Sequence, residues 1–265
     1  MTRVLRAFPT LLRVGFAESI AYRAEFLIWV LATNMPVVML LLWMAVAREQ
    51  PVGRFGEAEF GAYFFATFVV RQLTSAWVVW EMNYEIRQGT IGQRLLRPMH
   101  PFICYAAENI AALPFRALLA APIAAGGLAW LGTRHLSSDP LLWASVPWAI
   151  AGAWLITFTS MTLIGTLCFY WQSTLSLMHL WFALFFVLSG YTIPLELFPA
   201  QLRGVVSLLP FRFQISFPVE LLLGLIDRRA ALTGLALQWG YAALCLGASL
   251  LIWRRGLRRY AAFGG

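Results

Sequence analysis

The stretch YEIRQGTIGQRLLRPMHPF, residues 84–102, breaks a chain that is otherwise almost as apolar as lipid. Arg87, Arg94, Arg97, Gly89, Gly92, Pro98 and Pro101 fall within it. The runs on either side are long enough to cross a bilayer, so the segment is a connection between two crossings. Its side of the membrane and its local structure decide how the rest of the chain is read.

Working outward, the composition supports a membrane setting. Of 265 residues, 60% are hydrophobic and only 12% are charged. Mean hydropathy is +0.72, whereas soluble domains carry about a quarter charged residues. The net charge is +8, and every basic residue is an arginine. These arginines cluster in short segments between apolar runs, which points to the membrane surface and not to nucleic acid. Cys104, Cys168 and Cys245 lie in or beside apolar runs without metal-type spacing and read as buried free thiols. The N-terminus lacks the pattern of a cleavable signal peptide.

A hydrocarbon core of about 30 Å needs about 20 apolar residues in helix. Six runs qualify: 26–47, 60–80, 108–131, 141–170, 174–192 and 231–253. The chain therefore reads as an all-α polytopic membrane protein with six transmembrane helices in a single membrane domain, 1–265. Six crossings put both termini on one side. The N-terminal arm (Arg3, Arg6, Arg13, Arg23), the 81–102 segment and the tail (Arg254, Arg255, Arg258, Arg259) together outnumber the arginines of the opposing loops. The positive-inside rule then places both termini, and residues 84–97, in the cytoplasm.

Two further segments stand out. Residues 3–24 space Val4, Leu5, Phe8, Leu11, Leu12 and Phe16 at helical intervals, as in an interfacial helix lying on the membrane. Residues 191–230 are too apolar for an exposed loop and are cut by Pro194, Pro199, Pro210 and Pro218. Pro199–Leu209 and Phe217–Leu225 read as two short helices. Neither is long enough to span, and the reading is a re-entrant hairpin over 194–226, dipping in from the outer side.

In the opening stretch Arg87, Arg94 and Arg97 lie at helical spacing, beside an apolar stripe of Ile91, Leu95 and Met99. The expectation is a short amphipathic helix over 84–97, with the two glycines permitting close backbone approach and the prolines ending it. On spacing alone it is either an ordinary basic loop anchored to headgroups or a docking surface. Histidines 100, 135 and 179 are scattered, and no phosphate-cradling loop, metalloprotease motif or serine elbow is present. Metal or nucleophilic catalysis therefore has little support in the sequence.

The pattern Glu85, Arg87, Gly89, then Leu95-Leu96-Arg97-Pro98 and Pro101, between the second and third of six spans, resembles the coupling-helix region of type-2 ABC exporter permeases. The broken stretch SGYTIPLELFPAQLRGVVSLLPFRFQISFPVELLLG, 189–224, is similar to that family's outer hairpin. The resemblance covers essentially the whole chain, and its motifs are diagnostic in order and spacing. It implies a non-catalytic permease of the bacterial inner membrane, carrying amphipathic or hydrophobic cargo such as drugs, lipids or lipid-linked glycans. It also implies a second permease subunit, identical or a sister chain, and two cytoplasmic P-loop ATPase subunits that carry the ATP and Mg. Glu85, Arg87, Gly89, Ile91, Gly92, Arg94, Leu95 and Arg97 would form the ATPase-coupling interface. The alternative is an ion-coupled secondary transporter, which would need midplane ionisable groups and paired repeats.

Arg71 lies mid-span, where a charge costs about 2.5–3.5 kcal/mol. It is expected to face protein and to pair with Glu220 of the hairpin, which also carries Glu196; backbone carbonyls and Gln72 are the alternative partners. Arg116 is expected to snorkel toward the cytoplasmic face. Small residues at 117, 121 and 125 repeat the spacing of close helix contact.

Overall fold

A computed structural model describes residues 2–21 and 35–260. Residues 22–24 of the expected interfacial helix and 26–34 of the first expected span lie outside the described residues. Among the described residues the protein is helical, apart from one isolated bridge between Val52 and Phe55. In chain order the helices are α1 (Thr2–Ala21), α2 (Met35–Glu49), α3 (Glu57–Thr74), α4 (Val78–Arg87), α5 (Ile91–Leu95), α6 (Pro101–Ala111) and α7 (Leu113–Leu131). There follow α8 (Pro140–Thr166), α9 (Leu175–Leu188), α10 (Ala200–Leu208), α11 (Ser216–Leu222) and α12 (Arg228–Leu257).

The starts of the long helices are written in the sequence. His100 precedes Pro101, and its Nδ1 accepts from Phe102 N at 3.2 Å. Asp139 precedes Pro140 and accepts from Leu141 N at 2.9 Å. Asp227 accepts from Ala230 N at 2.7 Å at the start of α12. Each cap satisfies an amide that the helix itself leaves open.

Among the described residues four helical stretches are long and apolar enough to cross a membrane: Glu57–Arg87, Pro101–Leu131, Pro140–Phe169 and Arg228–Leu257. The third, at 30 residues, is about 45 Å long and overshoots a hydrocarbon core. α9, a mostly apolar helix of 14 residues, is about 21 Å long. Leu41, Leu118, Leu180 and Leu244 point outward and are more than half exposed, as lipid-facing positions would be.

The first of these stretches is not one rod. Residues 75–77 leave the helix, with Ser75 in an extended conformation. Thr74 turns its hydroxyl onto Val70 O at 2.9 Å, the local competition that weakens helices at Ser and Thr. Neighbours satisfy the freed backbone: Arg116 of α7 donates to Ser75 O and to Ser75 Oγ. Trp77 N donates to the Asn109 side chain of α6 at 3.3 Å. Arg116 therefore does not snorkel. It is buried, and the break supplies the carbonyl that holds it.

Among the described residues packing divides into three clusters. One gathers Val78, Met82, Ile91, Phe102, Tyr105, Phe158 and Trp253 at the end that carries the opening stretch. A second, at the opposite end, joins α2, α3 and the 189–223 region through Phe60, Tyr63, Phe185, Tyr191 and Val219. The third binds α8, α11 and α12. α12 packs along α8 more extensively than any other described pair. Gly152 makes the close approach possible, since a Cβ there would sit 2.6 Å from Gln238 Oε1. Buried Gln238 donates to Ala149 O and to Phe213 O, both at 2.8 Å.

The region after α9 turns at Gly190 and runs through a 3-10 turn (Leu195–Leu197), α10, a second 3-10 turn (Arg212–Gln214) and α11. Pro194 and Pro199 stand just before the first turn and α10, Pro210 lies just after α10, and Pro218 is buried within α11. The described cysteines are free.

Candidate functional site

The opening stretch lies at the end of the bundle where α4, α5, α6 and the end of α12 meet. It is not one helix over 84–97. α4 continues to Arg87, the chain turns at Gln88–Thr90, and α5 is a single short turn. The reason is Gly89, whose φ of +75° is a left-handed conformation that side chains disfavour. Gly89 O accepts from the Tyr260 hydroxyl at 3.0 Å, fastening the turn to the chain beyond α12.

Arg94 is the centre of an internal network. Its Nε lies 2.8 Å from both Glu85 carboxylate oxygens, and Nη1 lies 2.7 Å from Glu108. The Tyr105 hydroxyl donates to Glu85 at 2.6 Å, and the guanidinium stacks 4.1 Å from the Tyr105 ring centre. Burial disfavours the Arg94 charge, but the Glu108 and Glu85 hydrogen bonds outweigh it and hold the group above its ordinary pKa. One guanidinium thus clamps α4, α5 and α6 together.

The expected interface residues therefore separate. Ile91 is fully buried, Glu85 and Arg94 are turned inward, and Gly92 is half-buried. Arg87, Leu95 and Arg97 are exposed, joined by Tyr84 and by Leu96, which is 88% exposed. An outward patch of two arginines and three apolar or aromatic side chains sits on a base locked by charge. Leu96 is the residue that sequence spacing left out. Glu108 and Tyr105 were also missed as partners of Arg94, since they are supplied by a helix across the turn, at a separation no local periodicity reports.

The structure does not bring Arg71 and Glu220 together. Glu220 pairs with Arg212 at 2.6 Å and accepts from the Ser216 hydroxyl at 2.7 Å. Glu196 pairs with Arg54 at 2.5 Å. Arg71 instead lies 4.9 Å from the Phe185 ring centre and 5.8 Å from that of Tyr191, with the Tyr191 side chain as its hydrogen-bond partner. Aromatic faces from α9 and the turn after it shelter the guanidinium where a carboxylate was expected. Arg212, eight residues before Glu220 across a tight turn, satisfies that carboxylate locally.

Among the described residues no group of three or more His, Cys, Asp or Glu side chains is placed to hold a metal ion. The outward patch of Tyr84, Arg87, Leu95, Leu96 and Arg97 is exposed above the Arg94 network. The model of a family described as ABC-2 family transporter protein matches residues 26–264. No curated protein sequence matches the chain.

Proposed function

The chain belongs to the ABC-2 family of transporter membrane proteins, and from that premise we propose that it is the permease subunit of an exporter driven by a separate P-loop ATPase. ATP and Mg are bound by the partner, and this chain supplies the path and the lever. Two ATPase subunits serve two permease subunits, the second being an identical or a sister chain. The cargo is amphipathic or hydrophobic, and the setting is a bacterial inner membrane with both termini in the cytoplasm.

In this reading the crossings number six. Residues 26–47 and 174–192 join the four long apolar stretches, residues 3–24 rest on the cytoplasmic leaflet, and residues 194–226 re-enter from the outer side. The observation that carries the coupling role is the outward patch of Tyr84, Arg87, Leu95, Leu96 and Arg97 on the Arg94 clamp. Exposed apolar side chains beside arginines suit a protein partner with an acidic, grooved surface. A push on the patch passes into α4 and α6 together, because Glu85 and Glu108 share one guanidinium. Differential contact between the ATP-bound and nucleotide-free partner then shifts the permease between its states.

Co-purification with a co-expressed candidate P-loop ATPase subunit tests the reading. Leu96→Asp with Arg87→Gln and Arg97→Gln is expected to abolish co-purification and permease-stimulated ATP hydrolysis, while membrane insertion and thermal stability stay unchanged. Retained ATPase binding in that variant would overturn the assignment. Transport driven by a pH gradient without ATP would favour an ion-coupled carrier instead.

A further inference from the structure

At the same end of the bundle, the ends of α8 and α12 enclose an open pocket of about 750 Å³, a volume in the range of small-molecule sites. Its wall includes Tyr170, Trp171, Ile252, Arg255, Arg258 and Arg259. Among the described residues none of the three arginines has a carboxylate partner. The Arg259 guanidinium lies 5.1 Å from the Tyr170 ring centre, and Trp171 is 55% exposed.

The positions along α12 say what would fill this pocket. Leu244, Leu251, Arg255 and Arg258 are separated by seven, four and three residues and so share one helix face. Leu244 is 67% exposed and Leu251 50% exposed. An outward apolar stripe therefore runs along a membrane-length helix and ends in arginines that no described carboxylate pairs, beside a tryptophan and a tyrosine. That order, apolar strip, then cations flanked by aromatic rings, matches the order of chemistry in a phospholipid.

We propose that this pocket is a binding site for one anionic phospholipid, with its phosphodiester on Arg255, Arg258 and Arg259 and an acyl chain along Leu251 and Leu244. An acidic protein surface would satisfy the arginines but would leave the apolar stripe below them uncovered. The lipid accounts for both. The inference rests on the membrane placement of the chain and not on the ATPase contact, so the two stand or fall separately.

Native mass spectrometry of the full chain, released from detergent with added phosphatidylglycerol or phosphatidylcholine, tests it. The expected result is one phosphatidylglycerol retained in preference to phosphatidylcholine. Arg255→Gln should weaken retention about fivefold, since a basic residue near an anionic surface is worth about 1 kcal/mol. The triple change to Gln should remove the preference, and the triple change to Lys should keep most of it. Leu251→Ser should weaken lipid binding while leaving binding of inorganic phosphate unaltered. Equal loss in the Gln and Lys series, or unchanged retention in the Gln series, overturns the site. Displacement of the lipid by inorganic phosphate at comparable concentration would show a free-anion site instead. Loss of ATPase co-purification with lipid retention intact would make the arginines a protein contact.

Discussion

At the scale of single residues, Arg94 shows why charge type was legible and charge partner was not. An arginine in this connection was evident from the sequence, and three of them were expected to face a partner. Arg94 instead turns inward because Glu85 and Glu108 converge on it from two helices, and both are mostly shielded from water. Removing it strands two carboxylates, so Arg94→Gln should destabilise the protein by about 2 kcal/mol, read as a fall in melting temperature in detergent. Tyr105→Phe removes one hydrogen bond and should cost about 1 kcal/mol. Arg87→Gln, on the exposed side, should leave the melting temperature unchanged. Arg71 and Arg116 carry the same lesson. The burial of Arg71 was foreseeable from its position inside an apolar run, whereas Arg116 was expected to snorkel and is buried; the aromatic shelter of one and the broken backbone beneath the other are products of tertiary structure.

At the scale of elements, helix starts were legible and interruptions were not. Caps such as Asp139 and Asp227 stand in the sequence ahead of their helices. The break at 75–77 has no proline or glycine to announce it, and Gly89 reads as a point of close backbone approach within one helix until its positive φ is seen. His100 gives the α6 start a dependence on acidity. Burial, and next the Arg254 charge, push its imidazole below the usual value. The unfolded chain then takes up the proton more readily than the folded one. The contribution is full above the unfolded value of about 6.5 and is lost as pH falls through the lower folded value. Protonation of Nδ1 also removes the acceptor for Phe102 N. The melting temperature should drop between pH 7.5 and pH 5.5, and His100→Asn, which keeps a capping oxygen, should flatten that drop.

At the scale of the whole molecule, the all-helical membrane architecture followed from apolar run lengths, and the packing of α12 on α8 did not. That interface depends on Gly152 meeting Gln238, residues 86 apart in a pattern that repeats in no window. Gly152→Leu should force the two helices apart and cost about 1–3 kcal/mol, with a matching loss of melting temperature. Gln238→Leu should cost a similar amount by leaving Ala149 O and Phe213 O without their donor. The break at Ser75 acquires a wider meaning at this scale. α4 packs with the cluster around Ile91 and Trp253, whereas α3 packs with the cluster around Phe60 and Tyr191. Two struts meeting at a pin transmit thrust along their length but no bending moment. α8 and α12, unbroken over 27 and 30 residues, have no such articulation. The α8–α12 pair therefore joins the two ends of the molecule without a break in either helix, and Arg116 and Asn109 are the braces across the joint in the other member.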